Sequence, residues 1–204
     1  MLWGEIKINK LLIVGSGGHG RCCLDIARES YDHIAFLDDH HLNEVINDCK
    51  VIDTIDQMNC YYQEYKDIFI AVGSNKLRKK LIKQAHKKGF NIISLISKTS
   101  IVSKYASIDK GTVIFPGAVV ESNAVIGKGC IIAANATVNH DAIIEDYVLI
   151  YSSTVVKPNT LVSSYTRIGS NCVIGFGIKV NASSDIPDGT AVNDNHEYGF
   201  ETGV

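Results

Sequence analysis

The 204-residue chain has little of what marks a membrane, secreted or nucleic-acid-binding protein. No apolar run approaches the roughly 18 residues of a membrane-spanning helix. The first ten residues include Glu5 and lack the apolar stretch and small-residue cleavage site of a signal peptide. An excess of positive charge is also missing, since 20 Lys and Arg stand against 22 Asp and Glu. We therefore expect a cytoplasmic protein that binds neither nucleic acid nor membrane.

Metal-binding cysteine patterns are missing too. The six cysteines form no C-x-x-C pair and show no Cys/His spacing typical of a zinc site. Because thiols of cytoplasmic proteins stay reduced, we expect free cysteines. Because the ligand spacing is missing, we expect no metal. The apolar fraction of 46% is ordinary for a folded chain, and this length allows one large domain or two of about 100 residues.

A six-residue repeat runs through the second half of the chain. Every sixth residue from Val102 to Val192 is Val or Ile, at all sixteen positions. A second column, from Ser100 to Thr190, lies two residues before the first, and fourteen of its sixteen members are small. Neither the 3.6-residue period of a helix nor the alternation of a simple strand produces this pair of columns.

The repeat predicts short strands with a turn every six residues. Three hexads would close one triangular coil, with the branched residue inside and the small one beside it. Such coils stack through parallel ladders about 4.8 Å apart, and the uninterrupted run predicts about five of them. Cys130 and Cys172 stand in the small column, so we expect buried fillers. The open ends need covers, and we expect the N-terminal domain at one end and the tail at the other.

The first half reads as a small α/β domain. Buried apolar runs predict strands at 10–14, 33–37, 67–72 and 90–96, and helical patterns predict helices at 21–29 and 76–88. We expect three segments: a Rossmann-like domain at 1–97, a parallel β-helix at 98–192 and a C-terminal tail at 193–204.

A glycine-rich loop joins the first strand to the first helix. Gly15, Gly17 and Gly20 have the G-x-G-x-x-G spacing, in the strand–turn–helix context that gives the motif its meaning. Such a loop accommodates the phosphates of a dinucleotide or of a nucleotide-sugar, and acidic residues at the end of the next strand commonly meet a ribose. The alternative is a tight turn that only packs strand against helix. The candidate binding residues are Gly15, Ser16, Gly17, Gly18, His19, Gly20, Asp38 and Asp39.

His140 is the candidate base of the second half. It follows Val138 by two places, which puts it at a coil corner, pointing outward. Asp141 follows at once, and an acidic neighbour on one imidazole nitrogen leaves the other nitrogen basic. We also place Glu145 and Asp146, one hexad later, on the same corner. The alternative is a solvated corner histidine in an acidic patch.

The two halves together resemble one subfamily of the hexapeptide-repeat acyltransferases. These are bacterial sugar acetyltransferases that act on UDP-4-amino-sugars, on GDP-perosamine or, as O-acetyltransferases, on sialic acid. The resemblance covers roughly residues 10–190. The segments that carry it are Gly-Ser-Gly-Gly-His-Gly at 15–20, Phe-Leu-Asp-Asp at 36–39, Ile-Ala-Val-Gly-Ser-Asn-Lys-Leu-Arg at 70–78, Val-Asn-His-Asp at 138–141 and the hexads.

The resemblance implies a left-handed β-helix, a homotrimer and an active site between neighbouring subunits. His140 would be the general base that helps a sugar 4-amino group attack the acetyl carbonyl of acetyl-CoA, with Asp141 beside it. Gly73, Asn75 and Arg78 join the candidate substrate-binding residues on the same ground. No metal is implied.

The chain departs from the subfamily's pattern on the side of the acyl donor. Ala133-Ala134 stands where relatives have Asn-Thr, Leu149 replaces a second histidine, and the tail from Val192 to Phe200 replaces a Gly-Asn-Pro-Ala ending. Three alternatives to N-acetylation therefore stay open: O-acetylation of a sugar hydroxyl, a non-catalytic nucleotide-sugar-binding trimer and an NAD-dependent oxidoreductase. The oxidoreductase has only the glycine-rich loop in its favour, because unbroken hexads have no role in hydride transfer.

Overall fold

The computed structural model describes residues 9–194. The described residues form two compact units, one made of 9–73 with Leu81–Ile93, the other of Ser74–Lys80 with 94–194. The predicted tail thus lies outside the described residues apart from its first two positions. Within the described part, no helix is long and apolar enough to cross a membrane.

The first unit is built on a six-stranded sheet with the order β3-β4-β2-β1-β5-β6. All neighbours pair in parallel except β3 and β4. Leu11, Leu12 and Ile13 of the central strand are wholly buried, as expected of an apolar run covered on both faces. The elements are β1 (Lys10–Val14), α1 (Gly18–Ala27), β2 (His33–Leu37), β3 (Val45–Ile46), β4 (Cys49–Asp53), a 3₁₀ helix (Ile55–Tyr61), β5 (Asp67–Ile70), α2 (Asn75–Lys88) and β6 (Asn91–Ile92).

The sequence prediction for this unit is confirmed for β1 and β2 and needs correction elsewhere. The α1 helix begins at Gly18, inside the glycine-rich loop. The run predicted as one strand at 90–96 forms two short strands. The hairpin of β3 and β4 was not predicted, although its two-residue turn at Asn47 and Asp48, both with positive φ, is the geometry that Asn and Asp favour.

The second unit is a three-sided parallel β-helix. Its described two-residue strands form three parallel sheets of six, six and five strands, which makes five complete coils and part of a sixth. The strands are β7 (Leu95–Ile96), β8 (Ile101–Val102), β9 (Ser107–Ile108), β10 (Val113–Ile114), β11 (Val119–Val120), β12 (Val125–Ile126), β13 (Ile131–Ile132), β14 (Thr137–Val138), β15 (Ile143–Ile144), β16 (Leu149–Ile150), β17 (Val155–Val156), β18 (Leu161–Val162), β19 (Arg167–Ile168), β20 (Val173–Ile174), β21 (Lys179–Val180), β22 (Asp185–Ile186) and β23 (Ala191–Val192).

The repeat columns fill the inside of this β-helix. The Val and Ile column from Ile114 onward forms one continuous core, and Val102 and Ile108 pack against its open end, half-buried. Cys130 and Cys172 are wholly buried within it, which confirms the prediction of buried fillers.

One residue in each hexad turns the chain at the coil corner. Fourteen consecutive hexads each place one residue in the left-handed region, with φ between 55° and 73°. This column, which we call the turn column, occupies the third position after each core aliphatic residue. Its members are Gly111, Gly117, Asn123, Gly129, Asn135, Asp141, Tyr147, Ser153, Asn159, Tyr165, Asn171, Gly177, Ser183 and Gly189.

Candidate active site

His140 and Asp141 lie at the corner between β14 and β15, as the spacing predicted. Both side chains are about half exposed, at 51% and 44%. The Nδ1 atom of His140 lies 2.8 Å from Oδ2 of Asp141. Asp141 belongs to the turn column, with φ of 57°, and this backbone conformation brings its carboxylate back onto the preceding ring.

The pair is arranged to keep one imidazole nitrogen basic. The hydrogen bond with His140, and after it the one from Asn123, lowers the pKa of the Asp141 carboxyl. An ionised Asp141 accepts a hydrogen bond from Nδ1–H of His140. The free lone pair of the imidazole then lies on Nε2. An exposed, oriented and basic Nε2 is what a general base for a weakly acidic nucleophile requires.

Two residues of the preceding coil contact this pair, and sequence reasoning missed both. The backbone N–H of His140 donates to Oε2 of Glu121 at 2.9 Å. The Nδ2 atom of Asn123 donates to Oδ1 of Asp141 at 3.2 Å. The signal was available in the sequence, because one coil is three hexads, so the residues around position 122 lie directly below His140.

The expected placement of Glu145 and Asp146 beside His140 was wrong. Consecutive hexads occupy different corners of a three-sided coil, so these acids lie at the next corner. There, Oε2 of Glu145 accepts the N–H of Ser164 at 2.9 Å, and Oδ1 of Asp146 accepts the N–H of Lys128 at 2.9 Å. Both carboxylates are structural in the protomer.

The glycines of the first unit divide into two kinds. A Cβ on Gly20 would lie 2.0 Å from the carbonyl oxygen of Gly15, and one on Gly15 would lie 2.7 Å from that of Ala71. These two glycines are required for packing. A Cβ on Gly17 or Gly18 would meet nothing closer than an Arg21 side-chain nitrogen at 3.9 Å, so packing does not explain them. Both are exposed at the start of α1, where unpaired N–H groups can bind phosphate.

The two aspartates after β2 differ in their surroundings. Asp38 is 8% exposed, and its carboxylate accepts the N–H of Ser16 at 2.7 Å and that of His40 at 2.9 Å. Burial acts to raise the pKa of Asp38, but these backbone hydrogen bonds outweigh it and hold the pKa low. Asp38 therefore fixes the glycine-rich loop. Asp39 is exposed, and one of its oxygens accepts the N–H of Ile55.

The remaining candidate residues of the first half, Ser16, His19 and Gly73, differ in how exposed they are. Ser16 is wholly buried, so its role at this loop is the backbone contact with Asp38. His19 is half-buried, with Nε2 3.8 Å from the sulfur of Cys23. Gly73, after β5, is exposed, and a Cβ there would meet nothing within 4 Å.

Asn75 and Arg78, which the resemblance made candidate substrate-binding residues, contact other parts of the chain. Asn75 donates from Nδ2 to the carbonyl of Tyr165 at 2.9 Å and accepts from Arg78 at 2.8 Å. Arg78 is 1% exposed, and its Nε donates to the carbonyl of Gly129 at 2.7 Å. Burial lowers the pKa of its guanidinium to about 10. These contacts hold the start of α2 on the β-helix, and Arg78 as placed offers no surface to a substrate.

Of the departures from the subfamily pattern, the tail lies outside the described residues beyond position 194, and the other two lie at other places on the β-helix than the corner of His140. Ala133 and Ala134 follow β13, at the corner before β14, and Leu149 is 7% exposed in β16. Over residues 9–194, no group of three or more His, Cys, Asp or Glu side chains could hold a metal ion.

Both units match known families. Residues 10–85 match the PglD N-terminal domain, and residues 105–140 match the bacterial transferase hexapeptide family. The acetyltransferase domain of PglB from Neisseria gonorrhoeae has a TM-score of 0.87 at 30% identity, over 91% of this chain and 92% of that one. Its structure in complex with acetyl coenzyme A has a TM-score of 0.78 at 34% identity, over 92% and 97%.

The chain belongs to the hexapeptide-repeat acetyltransferases with a left-handed parallel β-helix and is an acyltransferase. Within that class, its similarity to the PglB acetyltransferase domain spans most of both chains. A mutant of GDP-perosamine N-acetyl transferase from Caulobacter crescentus, in complex with CoA and GDP-perosamine, has the same fold. Its TM-score is 0.87 at 21% identity, over 92% of each chain. The family and fold that the motifs indicated are thereby confirmed.

Proposed function

We propose that the protein transfers the acetyl group of acetyl-CoA to the 4-amino group of a nucleotide-linked amino-sugar, in the biosynthesis of a bacterial surface glycan. His140 is the general base. The observation that carries the proposal is the half-exposed His140–Asp141 pair, in which Nδ1 of the imidazole lies 2.8 Å from Oδ2 of the carboxylate.

The chemistry follows from this arrangement. The sugar amine attacks the thioester carbonyl as Nε2 of His140 takes one of its protons, which forms the new C–N bond and a tetrahedral oxyanion. A backbone N–H can stabilise that oxyanion. When the C–S bond breaks, CoA leaves as the thiolate. Asp141 stabilises the imidazolium that carries the proton during the step.

The proposed co-substrate and the proposed acceptor are supported by different observations. A relative that is 34% identical was solved with acetyl coenzyme A. We assign the nucleotide of the acceptor to the first unit. Gly17, Gly18, Gly73 and Asp39 are all exposed there. We place the phosphates at the N-terminus of α1. No metal takes part in the proposed reaction.

A homotrimer in the cytoplasm completes the proposal. In the sheet that contains β7 and β10, the outward side chains of the first four strands are buried in the protomer, such as Leu95 at 4% and Val113 at 0% exposed. Those of the other two sheets are not, and Ile101, Val125 and Ile143 are 68%, 42% and 45% exposed. These two sheets meet at the corner of His140, so covering them with neighbouring subunits would enclose the pair.

Release of CoA thiol from acetyl-CoA tests the proposal. Purified protein is mixed with a panel of UDP- and GDP-linked 4-amino-sugars, with His140→Ala and the exposed-histidine control His33→Ala assayed alongside. We expect sugar-dependent release that falls at least about 100-fold in His140→Ala and is unchanged in the control. Nucleotide-sugar binding should survive in both variants.

The other outcomes are informative. Release with 4-hydroxy sugars alone would make the protein an O-acetyltransferase. Nucleotide-sugar binding without release from any sugar would overturn the proposal in favour of the non-catalytic trimer. Binding of NAD in place of the nucleotide-sugar would revive the oxidoreductase.

A further inference from the structure

The coil below His140 contacts the proposed base and its partner at three points. Glu121 accepts the N–H of His140 at 2.9 Å. The carbonyl of Ser122 accepts the N–H of Asp141 at 3.2 Å. Asn123 donates to the carboxylate of Asp141 at 3.2 Å. Three consecutive residues thus hold the two residues that the chemistry needs.

Only the middle contact belongs to the general framework of the β-helix. The N–H of each turn-column residue commonly donates to the carbonyl 19 positions earlier, as Tyr147 does to Lys128 at 2.7 Å and Asn171 to Ser152 at 3.0 Å. The contacts of Glu121 and Asn123 are side-chain contacts added to that framework. A backbone contact like that of Glu121 also occurs between Glu145 and Ser164, so what distinguishes Glu121 and Asn123 is that their contacts end on His140 and Asp141.

The partial exposure of His140 explains why contacts that end on this pair matter. His140 is half exposed, and an exposed side chain samples several rotamers unless hydrogen bonds restrict it. A misplacement of about 1 Å at a reacting group can lower a rate about 100-fold. The backbone anchor from Glu121 and the carboxylate anchor from Asn123 restrict the main chain and the ring partner respectively.

We propose that Glu121 and Asn123 are positioning residues that hold His140 and Asp141 in the reactive geometry. Glu121 fixes the backbone from which the imidazole projects. Asn123 fixes the Asp141 carboxylate against Nδ1, and so orients the ring and its tautomer. The inference rests on the proposed function, because it assigns a role to residues that act through His140.

The chain contains a matched control for each residue. Glu145 accepts the N–H of Ser164 at 2.9 Å, at the same sequence separation of 19 residues and at a corner without histidine, and it also accepts the Ser164 hydroxyl at 3.0 Å. Asn171 occupies the turn column like Asn123, with φ of 55° against 60°. Glycine tolerates this φ at no steric cost, so substitution by glycine removes the amide without straining the turn.

The experiment compares steady-state kinetics and melting temperatures of the full-length protein. The variants are Glu121→Ala, Glu121→Gln, Asn123→Gly, Glu145→Ala and Asn171→Gly. We expect kcat to fall about tenfold or more in Glu121→Ala and Asn123→Gly with KM for both substrates little changed, since these contacts orient a reacting group. Glu121→Gln keeps an acceptor oxygen and should recover most of the rate. In the two controls kcat should stay at the wild-type value, whatever the change in melting temperature.

A second arm shows whether the effect passes through His140. In a His140→Ala background, Glu121→Ala and Asn123→Gly should leave the residual rate unchanged, because effects of residues that act as a unit are not additive. Equal loss of kcat in the Glu145→Ala control, or a further loss in the His140→Ala background, would overturn the inference. No turnover in the wild-type protein would instead refute the proposed function, whereas wild-type turnover with unchanged variants refutes only the positioning role.

Discussion

Tyr147 and Tyr165 occupy equivalent turn-column positions in successive coils, and their rings stack with centroids 5.6 Å apart and planes 8° from parallel. Their φ values of 60° and 64° are unfavourable for an aromatic residue, by about 1–2 kcal/mol each. The ammonium of Lys79 lies 4.7 Å from the centroid of Tyr165 and donates to its hydroxyl. Stacking and the cation therefore offset the strain where α2 begins.

We expect Arg78→Met to destabilise the protein by about 3 kcal/mol. The substitution removes charged hydrogen bonds to the carbonyls of Gly129 and Tyr147 and leaves both carbonyls buried without that donor. Urea unfolding measures the change. Lys80→Met, an exposed position on the same helix, should alter the free energy of unfolding by no more than about 0.5 kcal/mol. If Arg78 binds substrate instead, its variant would raise KM at unchanged stability.

Gly17→Ala and Gly20→Ala should separate binding from packing in the glycine-rich loop. Alanine at Gly20 would place Cβ 2.0 Å from a backbone oxygen, so we expect a large loss of stability or no folded protein. Alanine at Gly17 meets nothing within 4 Å and should leave the melting temperature unchanged. It should weaken nucleotide-sugar binding if phosphates approach this backbone, as calorimetric titration can measure. Unchanged affinity in Gly17→Ala would favour a turn that only packs strand against helix.

Asp38→Asn should lower the free energy of unfolding at pH 7 by about 1–3 kcal/mol, because the amide cannot accept from both backbone N–H groups. The pKa of Asp38 in the folded protein lies below the ordinary 3.8. Its stabilising contribution is therefore present above pH 3.8 and is lost as the pH falls through the folded-state value. The difference between variant and wild type should shrink in acid. A gap between variant and wild type that stays constant with pH would contradict this account.

Ile143→Glu should convert the proposed trimer into monomers. Ile143 and Val125 are adjacent outward residues of paired strands, about half exposed in the protomer, and a buried unpaired carboxylate in an apolar interface is strongly unfavourable. Sedimentation velocity measures the mass. Leu42→Glu replaces a residue that is 45% exposed in the first unit and should leave the mass unchanged. A wild-type monomer would rule out an active site between subunits.

The β-helix was predictable from sequence because its period is set by backbone geometry, which repeats without regard to context. The corner of His140 followed from the same period. The side chains that contact His140 were not predicted. Glu145 is close to His140 in sequence and was expected there, whereas Glu121 is distant in sequence and close in space. Counting by coils of three hexads, rather than by single hexads, would have found Glu121 and Asn123.

It was harder to predict from the sequence which polar side chains would be buried. Arg78 stands on a lysine-rich helix, where charge normally indicates solvent, and nothing local shows that carbonyls at 129 and 147 will meet it. Asp38 matched a ribose-binding pattern, yet one of its oxygens accepts the N–H of Ser16 in the glycine-rich loop and the other accepts the N–H of His40. In both cases a long-range backbone partner decided the role, and no pattern along the chain records such partners.

The turn column also determines how this protein can change length. Each hexad closes with its own turn residue, so one inserted residue would shift every later core side chain off the axis. A duplication of three hexads would keep the register of all three sheets and would lengthen the stack by about 4.8 Å. The distance along the β-helix axis between His140 and any residue above or below it can therefore change only by whole coils.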